Sequence, residues 1–224
     1  MRYEIKIPIF INFHSLFENW IHNKKGIRKH YKNRSVKSIY YDTINFKNAQ
    51  DNIDGISTRA KTRLRWYDEN FEKKILEIKI KKNTLGKKIF LQHKSLNELK
   101  NFEDIKKIRI KKKDFLDLKD KEYQINKFIY DDLKSVSMTT YKRSYFLYEN
   151  SIRITYDQNI IYQIFDQNLK IDEKFNDNKN VIEFKFEENK LQTAKYLIDD
   201  LNMRPNRFSK YLRSLYFHNR AVYF

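Results

Sequence analysis

The chain contains no cysteine, only three glycines and two prolines in 224 residues, and no long apolar run. The missing cysteines exclude a disulfide scaffold, a thiol nucleophile and thiolate-bound zinc, and they fit a reducing compartment. With Gly26, Gly55 and Gly86 as its only glycines, the sequence can write neither a Walker A loop nor a dinucleotide-binding fingerprint. Any phosphate site must therefore be built from side chains. No apolar stretch approaches the roughly 20 residues of a spanning helix. The opening MRYEIKIPIFINF carries Glu4 and Lys6 inside an alternating pattern, unlike the continuous apolar region of a signal peptide. These absences predict a cytoplasmic protein with no membrane segment.

What the chain does have is positive charge. Its 47 Lys and Arg against 29 Asp and Glu leave a net +18, with an isoelectric point near 9.7. That balance favours a polyanionic partner: nucleic acid, an acidic membrane or a phosphate-rich small molecule. The length suits one sizeable domain over residues 1–224, and no flexible interdomain linker interrupts it.

The charge is organised. In the stretch TRAKTRLRWYDENFEKKILEIKIKK, Thr58 to Lys82, alternate side chains of a strand share a face. Arg59, Lys61, Arg63 and Arg65 then point one way, and Ala60, Thr62, Leu64 and Trp66 the other. The second run repeats this, with Glu77, Lys79 and Lys81 opposite Leu76, Ile78 and Ile80, and Asp68 to Asn70 form the turn. The spacing predicts an antiparallel hairpin with one cationic face. Two like charges about 5 Å apart repel by roughly 3 kcal/mol at an effective dielectric near 20. A solvated face tolerates this, whereas an enclosed one needs an anion.

In chain order, Arg2 to Phe10 reads as a strand, with Arg2, Glu4 and Lys6 opposite Tyr3, Ile5, Ile7 and Ile9. Asn12 caps an amphipathic helix that stops near Gly26. His14, His22 and His30 stand eight apart, which matches no usual ligand spacing, so solvent-facing histidines are expected. Ser35 to Tyr41 is a strand, Thr43 caps a helix through Asn52, and Gly55 stops it. After the hairpin come a strand over Lys87 to His93, a helix over Ser95 to Lys107, a solvated basic run over Lys106 to Lys121, and a helix over Glu122 to Leu133. Met138 to Tyr148 and Ser151 to Tyr156 form strands about a Glu149-Asn150 turn. Asn159 to Phe165 is a separate strand, Asp166 to Asn180 mostly loop, and Val181 to Phe186 an alternating strand. A helix marked by Leu191, Ala194, Leu197, Ile198 and Leu201 follows, and after Pro205 a final helical segment holds Arg207, Lys210 and Arg213.

Glu4-Ile5-Lys6, Glu77-Ile78-Lys79 and Glu183-Phe184-Lys185 repeat one pattern, each with an acid and a base on a shared face. In a barrel, helices can cover apolar outer faces while a polar lumen holds the charges. A lumen of mostly cations with a few carboxylates suits a polyphosphate chelated to magnesium or manganese, whose ligands are oxygen.

The segments RYEIK, SIYYDT, the glycine of NIDG, KTRLRWY, LEIKIKKNTLGKK, TYKRSYF with SIRITYD, VIEFKF and RFSKYLRS occur in that order along most of the chain. In this order they resemble the polyphosphate polymerase domain of the vacuolar transporter chaperone (VTC) family, within the triphosphate tunnel metalloenzyme or CYTH superfamily. The resemblance implies an α+β fold: an antiparallel eight-stranded tunnel with a cationic lumen and helices packed outside. It implies that Arg63, Arg65, Lys79, Arg143 and Arg153 act at the transferring phosphate, and that Lys6, Lys88 and Lys210 bind donor or product phosphates. Lys88 is preferred over its neighbour Lys87. Glu183 is the implied ligand of manganese or magnesium. The superfamily opens on Glu, Glu and Lys at alternating positions, but here the first is Arg2. That departure weighs against a two-metal hydrolytic site.

The leading expectation is metal-dependent transfer of the ATP γ-phosphate onto a growing inorganic polyphosphate chain, with no covalent nucleophile from the protein. A triphosphatase of the same fold, with water as acceptor, is the alternative enzyme. A noncatalytic module binding polyanions or nucleic acid is the third reading. Against it, most aromatic residues sit opposite the charges and belong to the core.

Overall fold

The computed structural model describes residues 2–82, 85–91, 103–104, 108–111, 130–165 and 171–218. Ten strands are present: β1 (Arg2–Phe10), β2 (Ile27–Asp42), β3 (Thr58–Tyr67), β4 (Asn70–Lys82), β5 (Leu85–Leu91), β6 (Arg109–Ile110), β7 (Leu133–Tyr148), β8 (Ile152–Phe165), β9 (Ile171–Asn176) and β10 (Lys179–Glu187). The helices of eight or more residues are α1 (His14–Asn23), α3 (Leu191–Leu201) and α4 (Lys210–Phe217), with a shorter α2 at Lys47–Ile53. No helix among the described residues is long and apolar enough to cross a membrane.

The fold is α+β, built on an antiparallel sheet with pairing order β1-β10-β8-β7-β2-β3-β4-β5, β6 on β7 and β9 on β8. Two expectations are corrected. Among the described residues there are ten strands rather than eight, and the pairing path runs open from β1 to β5. The extra strands come from β6, in the lysine-rich run, and β9, where a loop was expected. Both are short, and β6 has only two residues, too few for periodicity to reveal.

The chain divides into two compact units: residues 1–36, 140–161 and 176–209 form the first, and 37–139, 162–175 and 210–224 the second. In the first, the apolar sides of β1, β8 and β10 (Ile7, Ile9, Ile154, Phe184, Phe186) pack with Phe17 and Ile21 of α1 and Ala194, Leu197 and Leu201 of α3. Fully burying each aliphatic or aromatic side chain contributes about 1.5–3 kcal/mol, so this face holds the unit together. In the second, Leu64, Trp66, Leu76, Ile78 and Ile80 of the β3–β4 hairpin form a core with Ile39 and Tyr41.

Local signals set many boundaries. Glu149 (φ 43°) and Asn150 (φ 56°) both lie in the left-handed region, the geometry of a tight hairpin turn between β7 and β8. Gly26 has φ 87°, and a Cβ there would come 2.9 Å from the Tyr148 ring, so only glycine fits between α1 and β2. Thr43 Oγ1 accepts the Lys47 amide at 3.0 Å at the entry to α2, as its position predicts.

Elsewhere tertiary structure overrode local reading. β2 begins at Ile27, eight residues before the expected start, because its polar first half is recruited by pairing rather than by burial. β8 runs unbroken from Ile152 to Phe165, and Asn159 interrupts the extended backbone at one residue (φ 51°) without ending the strand. Arg207 precedes α4 instead of lying within it. Most of the helix expected over Ser95 to Lys107 and residues 122–129 of that expected over Glu122 to Leu133 lie outside the described residues. Leu133 itself opens β7.

One buried carboxylate organises the second unit. Asp42, at the end of β2, accepts the amides of Thr43 (2.7 Å), Asn48 (2.9 Å) and Ala49 (3.0 Å) and the hydroxyl of Tyr211 (2.5 Å). It thus satisfies the first turn of α2 and ties α4 to the strand. Burial pushes its pKa up, against the four hydrogen bonds that favour the ionised form. Asp42→Ala leaves several buried donors unmatched at about 1–3 kcal/mol each. The expected loss is about 3 kcal/mol or more by denaturant unfolding, with Asp42→Asn and Tyr211→Phe each costing less. An Asp42→Ala chain as stable as the parent would show that these donors find water.

Candidate functional site

In the first unit, antiparallel pairing converts the repeated Glu-x-Lys pattern into complementary charges. β1 and β10 align so that Glu4 faces Lys185 and Lys6 faces Glu183. β8 extends both rows, with Arg153 beside Lys185 and Thr155 beside Glu183. Each acid of one strand therefore meets a base of the next.

Glu183 is the centre of this group and only 6 % exposed. Its carboxylate lies 2.5 Å from Lys185 Nζ, 3.9 Å from Lys6 Nζ and 4.0 Å from an Arg143 terminal nitrogen, and it accepts Thr155 Oγ1 at 3.4 Å. Burial alone would favour the neutral acid, but the combined field of Lys185, Lys6 and Arg143 holds Glu183 well below the usual carboxylate range. Burial, with help from Arg143, also lowers the pKa of Lys185 despite Glu183.

Arg143 is held from the other side. Asp157, 1 % exposed, receives its Nε at 2.5 Å and a terminal nitrogen at 2.7 Å, a two-pronged grip, and the guanidinium lies 5.3 Å from the Tyr141 ring centre. Burial opposes its charge, yet Asp157 raises its pKa well above the ordinary value. Lys6 donates to the Phe208 carbonyl at 3.2 Å and lies 3.3 Å from Glu4.

In the second unit the β3–β4 register sets Arg63 opposite Glu77 and Lys61 opposite Lys79, and β5 adds Lys88 beside Lys79. Lys61, Lys79 and Lys88 thus form a row of three cations across three strands. Arg63 donates to Glu77 Oε2 from two nitrogens, at 2.6 and 2.7 Å. Arg65, 5 % exposed, donates from Nε to Ser38 Oγ at 3.0 Å. Burial resists the charge on Glu77, but Arg63, Arg65 and Lys88 lower its pKa.

Tyr40 reports the same field. Burial pushes its phenol up, but Arg63, Arg65 and Lys210 more than reverse this and leave the pKa below normal. Lys210 is brought near by α4, whose Tyr211 stacks on Tyr40 with ring centres 5.1 Å apart while its hydroxyl binds Asp42. Glu77 is one carboxylate facing several cations.

Of the residues expected from sequence, Lys6, Arg143, Arg153 and Glu183 gather in the first unit, and Arg63, Arg65, Lys79, Lys88 and Lys210 in the second. Sequence reasoning did not single out Asp157, Lys185, Tyr40 or Asp42 as site or support residues. Lys185 was legible, since antiparallel pairing of two Glu-x-Lys strands must set it beside Glu4. Nothing in the local sequence marks Asp157 or Tyr40.

No group of three or more His, Cys, Asp or Glu suited to a metal occurs among the described residues. A cage made by the protein alone is therefore a poor fit here. A magnesium or manganese ion anchored by Glu183, with Glu4 nearby, and otherwise bound by phosphate oxygens and water does fit, because such ions take few protein carboxylates at phosphate sites.

The geometry agrees with known proteins. The chain covers 97 % of itself on PH1819 from Pyrococcus horikoshii OT3 and 98 % of that chain, at 14 % identity and a TM-score of 0.51. It also resembles HpAC1 from Hippeastrum, an adenylyl cyclase candidate described as having a dominant triphosphatase activity, with 13 % identity, a TM-score of 0.54, and 99 % and 98 % of the two chains covered. At such identities the likeness speaks for the fold alone. No curated protein sequence matches the chain. Residues 11–218 match the VTC domain, nearly the whole length over which the charged strands and both groups of site residues are distributed. The chain belongs to the VTC-domain family.

Proposed function

We propose that this protein is a metal-dependent polyphosphate polymerase, using ATP as donor and inorganic polyphosphate as acceptor in the cytoplasm. The observation that carries this reading is Glu183, a buried carboxylate kept ionised by three cations that a phosphate chain would help to neutralise. In the reaction a terminal oxygen of the polyphosphate attacks the γ-phosphorus of ATP. The bond from that phosphorus to the β–γ bridging oxygen breaks, and ADP leaves. The protein contributes no covalent nucleophile, so alignment and charge neutralisation are what it must supply.

Arg63 and Arg65 are positioned for this by Glu77 and Ser38, and Arg143 by Asp157. Arg153 acts with them on the transferring phosphoryl group, and Lys79, Lys6, Lys88 and Lys210 bind donor and product phosphates. Glu183 would hold manganese or magnesium, which would supply neutralisation of phosphate charge.

Triphosphate hydrolysis uses the same groups with water as acceptor, and the activity described for HpAC1 favours it as the second reading. Incubation with ATP and manganese, followed by separation of long polyphosphate from orthophosphate, distinguishes the two. Polyphosphate is the expected product, and orthophosphate alone would assign hydrolysis.

A receptor with aimed guanidinium groups concentrates its effect in few residues. Arg65→Ala and Arg153→Ala should each lower synthesis by roughly 100-fold or more, whereas Lys111→Ala, on an exposed lysine, leaves it nearly unchanged. Small and equal losses at all three would mean diffuse charge, and a binding module instead of an enzyme.

Glu183→Gln should abolish synthesis while nucleotide binding persists. It also has a stability signature. Because the folded pKa is depressed, the stabilising contribution of Glu183 is present above its unfolded pKa and is lost as pH falls through the lower folded value. At neutral pH the variant should be less stable by roughly 1–3 kcal/mol, less than for fully buried pairs. The gap should narrow on acidification below the ordinary glutamate range. A gap independent of pH would show that the Glu183 charge is not what the cations stabilise.

A further inference from the structure

A cavity is lined by residues other than those of the Glu183 group. It has a volume of about 360 Å³, within the range that small metabolites occupy. α1 contributes His14, Glu18 and His22, which fall on successive turns of one helix face. The exposed first half of β2 contributes Arg28, Lys29 and Asn33. Phe146 and Ile21 supply apolar surface, and Ser144 and Gln158 close the β7–β8 side. On β8, Gln158 and Tyr156 alternate with Asp157 and Thr155. The cavity and the Glu183 group therefore use opposite faces of the same strand.

The polar groups around it are mostly donors. His14 Nδ1 faces the Gln158 amide nitrogen at 3.2 Å and the Tyr156 hydroxyl at 3.0 Å. Tyr156 itself accepts from Asn180 Nδ2 at 2.8 Å, so its proton is directed toward His14. Nδ1 is thus the acceptor, and the neutral ring carries its proton on Nε2. Arg28 and Lys29 bring positive charge. Arg28 is oriented by a 2.8 Å bond to Asn150 Oδ1, which leaves other guanidinium N–H groups available. Glu18 is the one carboxylate on the wall, and His22 Nε2 lies 3.2 Å from it.

We infer that this cavity binds a small phosphate-bearing metabolite with a hydroxylated body, of the sugar phosphate or nucleoside phosphate class. Arg28, Lys29 and the His14 Nε2–H take the phosphate. Glu18, Asn33 and Gln158 take hydroxyls. A bare polyanion would leave Glu18 facing like charge, so a mixed ligand suits the wall better. The inference does not depend on the polymerase reading.

Calorimetric titration of AMP, ribose 5-phosphate and adenosine into the full chain carrying Arg65→Ala and Arg153→Ala tests it, because that background weakens phosphate binding at the proposed reaction site. AMP and ribose 5-phosphate should bind at one saturable site in the submillimolar range, and adenosine should not. Adding Arg28→Glu with Lys29→Glu should weaken AMP at least tenfold. Lys32→Glu, on the same strand but outside the cavity wall, should change it less than twofold. Should the double reversal not fold, ring NMR signals of the unmutated chain decide: AMP should shift His14 and His22 but not His30. The proposal fails if no saturable binding occurs below about 10 mM, if adenosine binds equally, if Lys32→Glu weakens AMP as much as the double reversal, or if His14 and His22 stay unmoved. None of these outcomes bears on polyphosphate synthesis, which is read separately.

Discussion

A carboxylate withdrawn from water keeps its charge only where cations or hydrogen-bond donors are built around it, and Glu183, Asp157, Asp42 and Glu77 are such carboxylates among the described residues. Glu183 is held by lysines and an arginine, Asp157 grips Arg143, and Asp42 collects three amides and a phenol. In each case the acid also orients its partners. A cation fixed in this way loses little further entropy on meeting a phosphate, which is where preorganised electrostatics draws its strength. The cost of desolvating the acids is offset by the aim it gives the bases.

The two groups of site residues differ in balance. Around Glu183, the carboxylates of Glu4, Glu183 and Asp157 nearly match Lys6, Lys185, Arg143 and Arg153. Around Tyr40, Glu77 stands against Arg63, Arg65, Lys61, Lys79, Lys88 and Lys210. The first group is close to neutral and the second is strongly cationic. Both follow from strands with a period of two, since the same alternation that sends Ile154, Phe184 and Phe186 into a core sends Arg153, Glu183 and Lys185 to the opposite face.

Much of this was legible before any coordinates. Alternation in β1, β3, β4 and β10 identified the charged faces, and the ordered short motifs identified the family. The β3–β4 hairpin, with its turn at Asp68 and Glu69, lies where its pattern predicts. What remained hidden depends on contacts distant in sequence. Asp157 differs from any other strand aspartate only because β7 carries Arg143 to it. The first half of β2 reads as loop because its side chains are polar, yet backbone pairing needs no apolar face. Two-residue β6 offers no period at all.

Asp42 and Tyr211 are 169 positions apart, and this separation has a consequence for how the molecule is made. Contacts so remote form late, after the entropy of closing a long loop has been met. A chain emerging from the ribosome can complete the β3–β4 hairpin early, with Arg63 and Arg65 already in place. It cannot seat α4, or bring Lys210 beside Tyr40, until residues 210–217 have followed. The cationic group around Tyr40 is thereby completed later than the hairpin that supplies its arginines.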